Sequence, residues 1–390
     1  MYFNKVGPTT KPKGIENVGA TCYMNAVLQC FYHVKVLTNE LLNYPINMGM
    51  PMTIAYKDVI SQLSSNSFYP ARPIDFKNVI SLNPLFSGIQ ANDSKDLILY
   101  FLENIEDELT KQNIFCQNKK YINRIRYLKS SQDQALMNII QLFQQNHKSI
   151  ISDLFYGFKS QILTCYNCKK KIINYQIVNL FIFPIEVVYN SKNKNIKNIQ
   201  SGSSNYNMYE TANSDYGNFY NGYKTTYSDY RRSNNGGNNR SSGKKVTLED
   251  CFDNEISDMV FDKDNQIFCN ICNKSCNAKG ESKIFSTPYI LILILNRGKG
   301  NEFNCDVEFK ADIDIRKYVQ NSECPHKYYL IGVISHLGES SMNGHFIADC
   351  KHFDGNWYSF SDSSVSGPYS NYNKKGTPYI LFYQSEELEK

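Results

Sequence analysis

An α+β fold is predicted by three features of the sequence. Apolar residues recur at helical spacing in the first part of the chain, strand-like runs dominate the later part, and a polar block separates most of the two. A first helix is expected from Cys22 to Val34, with Val27, Leu28, Phe31 and Val34 on one face. A second is expected over 96–109, where Leu97, Phe101, Leu102 and Ile105 share a side, and a third over about 133–143. Strands are expected at 175–183, 289–295, 328–335, 345–350 and 378–383.

The polar block spans 190–245 and is made mainly of Asn, Ser, Gly and Tyr, with few aliphatic residues. Such a segment cannot bury enough apolar surface to offset its ordering entropy, so a disordered insertion is expected. Its charge is distinctive. The chain has 42 Lys/Arg against 37 Asp/Glu, a formal +5, and 190–245 alone holds nine against three, a net of +6. The remainder is nearly neutral, which removes a whole-chain argument for nucleic-acid binding and leaves the insertion free to meet an acidic partner. With 42% hydrophobic residues a sizeable core is expected, and wholesale disorder is excluded.

The first residues lack the apolar stretch of a signal peptide, and the longest apolar run, 289–295, is too short to cross a bilayer. A soluble intracellular protein, cytoplasmic or nuclear, is expected. It should be a monomer that engages neither nucleic acid nor membrane. The 12 cysteines then read as ligands, nucleophiles or core residues rather than disulfides.

The most informative stretch is Gly14-Ile15-Glu16-Asn17-Val18-Gly19-Ala20-Thr21-Cys22-Tyr23-Met24-Asn25. A glycine-punctuated loop leads into a helix, with Thr21 at the N-cap and Cys22 in the first turn. The positive end of the helix is expected to lower the thiol pKa, and its unpaired N–H groups suit an oxyanion. Asn17 adds a side-chain donor, although a lone cysteine is more often a buried structural residue. A thiolate nucleophile needs a histidine, and His345 heads the run Gly344-His345-Phe346-Ile347-Ala348-Asp349-Cys350. A following hairpin would bring it to Ser361 and Asp362, either of which can fix the imidazole tautomer.

These two segments resemble the cysteine and histidine boxes of the ubiquitin-specific proteases. The resemblance extends over 13–384 through Ala91-Asn92-Asp93-Ser94-Lys95-Asp96-Leu97, Phe155-Tyr156-Gly157, Val246-Thr247-Leu248-Glu249-Asp250-Cys251 and Tyr379-Ile380-Leu381-Phe382-Tyr383. It implies one papain-like hand of thumb, palm and fingers, with the insertion let into the fingers. It implies Cys22 as nucleophile, His345 as general base and acid, and Asn17 as oxyanion donor. The family places Asp or Asn four residues after the tryptophan. Counting from Trp357, this chain has Ser361 there, with Asp362 next. Ser361 is expected to orient the imidazole and Asp362 to supply charge directly or through water. Ala20 is a second departure, since the family usually has Asn there, and a looser loop is expected.

Cys165-Tyr166-Asn167-Cys168 and Cys269-Asn270-Ile271-Cys272 supply four thiolates, the set preferred by structural Zn²⁺. The resemblance implies one such zinc in the fingers. Core cysteines and a redox CxxC are the competing readings, and Cys276 is a spare thiol. The implied reaction is hydrolysis at the C-terminal glycine of ubiquitin, with ubiquitin and ubiquitinated proteins as partners. Asp93 would meet the basic ubiquitin tail, and Tyr328 would line the diglycine channel, against the plainer readings of a helix cap and a core tyrosine. A ubiquitin-binding scaffold without turnover, or a protease for another ubiquitin-like modifier, are the alternatives.

Overall fold

Phe31 shows why the first helix has no solvent face. Its ring meets Phe101 at 4.8 Å, Phe155 at 5.6 Å and Phe382 at 5.5 Å between centroids, joining three helices to a sheet. All eleven residues of α1 (Cys22–Tyr32) are buried, so its four-residue apolar face understates its role. Truncation of Phe31 to alanine would cost about 3–5 kcal/mol in such a setting. The computed structural model describes residues 11–111, 134–193, 245–298, 303, 305–338 and 344–388.

Around α1 lie α2 (Lys35–Asn43), α3 (Pro51–Leu63), α4 (Ile74–Ile80), α5 (Ser94–Lys111), α6 (Gln134–Asn146) and α7 (Ile150–Phe155). Pro51 opens α3, where a missing N–H costs nothing. Glu108 of α5 accepts from the Met52 and Thr53 N–H groups, each at 2.8 Å, and so caps α3 from a distance. Ser149 and Ser152 form a reciprocal capping box at the start of α7. These helices make the thumb.

The fingers begin with β1 (Gly157–Cys165) and β2 (Lys171–Val178). The expected strand at 175–183 divides, because β3 (Phe181–Pro184) runs in a different sheet, parallel to β9 (Ile290–Asn296). Next comes α8 (Ile185–Asn193), whose Lys192 pairs with Asp250 of α9 (Leu248–Glu255) at 2.5 Å. The boundary expected at 190 is therefore corrected: residues 190–193 form the last turn of α8, with Ile185 and Val188 buried and Lys192 favourably placed at the C-terminal end. Residues 194–244 lie outside the described residues. The finger sheet has the order β2–β1–β8–β5, with β5 (Met259–Phe261) and β8 (Ala278–Ser286), and a separate hairpin pairs β6 (Ile267–Cys269) with β7 (Lys274–Cys276).

The palm is a larger sheet of order β15–β14–β13–β12–β16–β9–β3. It contains β12 (Lys327–Leu337), β13 (His345–Lys351), β14 (Trp357–Ser361), β15 (Ser364–Tyr369) and β16 (Thr377–Ser385), with β11 (Asp312–Asp314) paired to β12; β4 (Val246–Thr247) and β10 (Val307–Glu308) form a separate parallel pair. One face carries Phe346, Ala348, Cys350 and Phe382 against the thumb helices. The other carries Val333, Trp357, Leu381 and Tyr383 over α8 and α9. The architecture is the expected α+β papain-like hand. No helix among the described residues is long and apolar enough to cross a membrane.

Candidate active site and candidate metal centre

Asn17 organises the loop before α1. Its Oδ1 accepts from the N–H groups of Gly19 and Thr21, both at 3.1 Å, and from the Thr21 hydroxyl at 3.2 Å. The Thr21 hydroxyl also accepts from the Val18 N–H at 3.1 Å. Gly19 at φ 120° and Ala20 at φ 47° supply the left-handed backbone of the turn. Asn is among the residues that tolerate such a conformation best, so Ala20 is the strained choice. Thr21 holds the N-cap position without capping, because its hydroxyl faces back into the loop. The N–H groups of Cys22 and Tyr23 are left directed at the thiol.

Helix α1 and strand β13 meet at Cys22. The thiol is 6% exposed, and the backbone N–H of Phe346, next to His345, bonds to it. The expected drop in its pKa is not found. Burial pushes the Cys22 thiol above its ordinary value, and the Asp362 carboxylate adds to that shift. The N–H groups of Phe346, Tyr23 and Cys22 pull the other way and do not compensate.

His345 is half-buried, and its Nε2 lies 2.8 Å from Ser361 Oγ. Nδ1 is then the ring nitrogen available to a substrate or thiol. Asp362 takes a different direction from the one expected. It sits at φ 51°, outside the strand conformation, and its two oxygens accept from Asn17 Nδ2 at 2.8 Å and Asn25 Nδ2 at 2.7 Å. Its carboxylate ties the nucleophile loop to the palm instead of joining the imidazole. The backbone repeats this tie: Ile15 N–H donates to the Asp362 carbonyl at 2.9 Å. A Cβ on Gly14 would lie 2.4 Å from the Ser363 carbonyl oxygen, so only glycine permits the approach.

Asp93 immediately precedes α5, and its Oδ1 accepts from the Lys95 N–H at 2.8 Å. Both its oxygens lie 2.8 Å from the Tyr379 hydroxyl, and its side chain is 38% exposed. Tyr328 requires a correction. It is 1% exposed, and its hydroxyl donates to the carbonyls of Pro288 at 2.5 Å and Pro325 at 3.2 Å. It belongs to the palm core on the face away from the thumb.

Three residues of the seam escaped the sequence reading. Asn25 donates to Asp362 and to the carbonyls of Ile15 and Glu16, and a polar residue one turn after Cys22 in an apolar helix was its signal. Tyr379 was visible only as a landmark. His336 interrupts the apolar run of β12, and its ring packs 4.9 Å from Phe346. It is 2% exposed, and neither nitrogen has a hydrogen-bond partner among the described residues.

At the fingertip, Cys165 ends β1 and Cys269 ends β6, while Cys168 and Cys272 lie in the turns that follow. The residue after each second cysteine is left-handed, Lys169 at φ 60° and Asn273 at φ 48°. This backbone turns N–H groups toward sulfur. Those of Cys168 and Asn167 hold the Cys165 thiol down, and those of Cys272 and Ile271 do the same for Cys269. The four ligand atoms lie within 4.8 Å of one another, with Cys168–Cys269 at 3.6 Å and Cys165–Cys272 at 4.0 Å between sulfurs. A tetrahedral Zn²⁺ with Zn–S near 2.3 Å requires sulfurs about 3.8 Å apart, so the set fits one structural zinc. Cys276 packs against this cluster.

Comparisons with known proteins agree with this geometry. The family model described as ubiquitin carboxyl-terminal hydrolase matches residues 13–383. Ubiquitin carboxyl-terminal hydrolase 10 of Saccharomyces cerevisiae is 25% identical, over 91% of this chain and 45% of its own length. Ubiquitin carboxyl-terminal hydrolase 21 of Homo sapiens is 22% identical, over 95% of this chain and 61% of its own. Ubiquitin carboxyl-terminal hydrolase Usp2 of Drosophila melanogaster is 21% identical, over 95% of this chain and 34% of its own. The chain thus spans between a third and three fifths of the length of these relatives. It belongs to the ubiquitin carboxyl-terminal hydrolase family, in its ubiquitin-specific protease branch.

Proposed function

We propose that the chain is a cysteine hydrolase that cleaves the isopeptide or peptide bond at the C-terminal glycine of ubiquitin. The observation that carries this reading is the meeting of Cys22, at the start of α1, with the head of β13, where His345 is held by Ser361 at 2.8 Å. The buried thiol keeps its proton until a substrate fills the seam. His345 Nδ1 then takes the proton as sulfur attacks the carbonyl. The Cys22 N–H and Asn17 Nδ2 receive the oxyanion, and Asp362 fixes Asn17 through its 2.8 Å hydrogen bond. His345 returns the proton to the departing lysine amine, and a thioester to Cys22 remains. Water, deprotonated by His345, hydrolyses it.

Asp93 is the acidic contact for the basic ubiquitin tail, and Tyr379, which donates to it, takes the channel position expected of Tyr328. Cys165, Cys168, Cys269 and Cys272 would hold a zinc that stiffens the fingers. Four protein sulfurs leave no coordination position for substrate, so no step of the reaction is assigned to the metal. A monomeric enzyme of the cytosol or nucleus completes the proposal, in keeping with thiols that stay reduced.

The test uses ubiquitin carrying a fluorogenic C-terminal amide. Release that disappears in Cys22→Ala supports the reading, and no Cys22-dependent release at micromolar enzyme contradicts it. The uncharged Ser361 and the raised Cys22 thiol favour one competitor, a ubiquitin-binding scaffold. That competitor predicts binding of ubiquitin without release.

A further inference from the structure

The rim of the palm sheet sets the candidate site residues in a row. At the β14–β15 turn stands Asp362 with Asn17, then His345 at the head of β13, His336 near the end of β12, and Tyr379 with Asp93 at the start of β16. Cys22, against the Phe346 N–H, lies between the two ends of this row. At the Asn17 end the surface opens into a cavity of about 390 Å³, lined by Glu16, Asn17, Val18, Arg72, Ile74 and Lys77 among others. Three of these residues belong to the loop that precedes the nucleophile.

A carbonyl attacked by Cys22 carries an acyl chain and a leaving amine, and the two diverge from the reacting carbon. On the function proposed above, the acyl chain enters past Asp93 and the carbonyl oxygen turns to Asn17, so the amine departs at the end of the row opposite Asp93, toward the cavity beyond Asn17. We infer that the cavity beside Asn17 is the subsite for the acceptor polypeptide, the segment flanking the lysine that is released. This rests on the hydrolase reading and extends it to the other half of the substrate.

The walls specify the chemistry of that segment. Val18 and the 41%-exposed Ile74 offer apolar surface, and the 79%-exposed Ile89 prolongs it next to Gly19. Two cations, Arg72 and Lys77, face one carboxylate, Glu16. Lys77 Nζ donates to the Phe86 carbonyl at 2.7 Å and is a fixed charge at the wall. Arg72 gives its Nε to Glu16 at 2.5 Å while its side chain stays 64% exposed. A guanidinium has five N–H donors, and this bond uses one. The excess positive charge beside aliphatic surface suits an acidic side chain and an aliphatic one on either side of the acceptor lysine.

The experiment compares two substrates of the full chain. One is ubiquitin joined through an isopeptide bond to a peptide reading Glu-Lys-Leu around the acceptor. The other is ubiquitin aminocoumarin amide, which has no polypeptide on the leaving side. Arg72→Glu should lower the ratio of their kcat/KM values about tenfold, and Ile74→Ser about threefold. The wild type should also prefer the Glu-Lys-Leu peptide over a Lys-Lys-Leu peptide about tenfold, and Arg72→Glu should reverse that order. Equal loss on both substrates, or an unaltered ratio with no flank preference in the wild type, overturns the subsite while leaving the hydrolase reading intact. A wild type that releases neither product through Cys22 overturns both.

Discussion

At the seam, one thiol stands apart: Cys22 is 6% exposed, its pKa is raised by burial, and the backbone N–H groups of Phe346, Tyr23 and Cys22 are directed at its sulfur. At the fingertip, four thiols lie within 4.8 Å of one another, and turns of matching left-handed geometry lower the first thiol of each pair. Both regions present N–H groups to sulfur, so donors alone do not decide ionisation. Desolvation decides it at the seam, where the helix end is enclosed by the palm. On the function proposed above, the same residue type serves as a latent nucleophile in one place, and it forms a metal cage in the other.

The largest effect should separate the two regions outright. Cys22→Ala should lower hydrolysis by at least about 10⁴-fold while zinc content, measured by elemental analysis, stays near one per chain. Cys269→Ser should do the opposite, losing the metal and costing several kcal/mol of stability, on the scale of structural zinc sites. Zinc loss on Cys22→Ala, or full zinc retention on Cys269→Ser, would break the comparison. Within the seam, Ser361→Ala should lower kcat about tenfold by freeing the imidazole, with Ser361→Asn within a few fold of wild type. A larger fall in Asp362→Ala would come with a looser loop, since Asp362 holds both Asn17 and Asn25.

The palm face away from the thumb holds an enclosed acid, in register with Val333. Asp349 is 0% exposed and faces Ser359 across the strands. Burial pushes its carboxyl up to about 6, against smaller opposing effects of Ser359 and Lys375. Because the folded pKa exceeds the unfolded one, the folded state binds more protons between about pH 4 and 6, and stability falls as pH rises through that window. Asp349→Asn should therefore stabilise the protein at pH 7 by about 1–3 kcal/mol, with the gain vanishing near pH 4. Urea midpoints at the two pH values check this, and an equal gain at both would contradict it. The smallest effect belongs to the loop: Ala20→Asn should add about 0.5–1 kcal/mol by suiting φ 47° better than alanine.

Much of this was legible in the sequence because it depends on local pattern. The boxes around Cys22 and His345 declare themselves by resemblance to a family, and the paired CxxC motifs and the β-rich second half by spacing. What stayed hidden depends on approach between distant segments. Whether Cys22 is a thiolate depends on how deeply Phe346 and the palm enclose it, which no helix-terminus rule reports. Asp362 looked like a partner for the imidazole because it follows Ser361, but strand alternation and its φ of 51° turn it to the opposite side. Tyr328 sits in a strand whose two faces both meet apolar layers, so its side could not be read from alternation. The helix end at Asn193 was masked because a polar last turn runs straight into the polar block.

Labelling with ubiquitin bearing a C-terminal electrophile, followed by intact mass and peptide mapping, tests the central claim most directly. That claim is that Cys22, and not a fingertip sulfur, is the thiol offered to the ubiquitin C-terminus. A single adduct on Cys22, abolished in Cys22→Ala and slowed in His345→Ala, is the predicted result. No adduct, or an adduct on any of the other cysteines while Cys22 stays free, would contradict it.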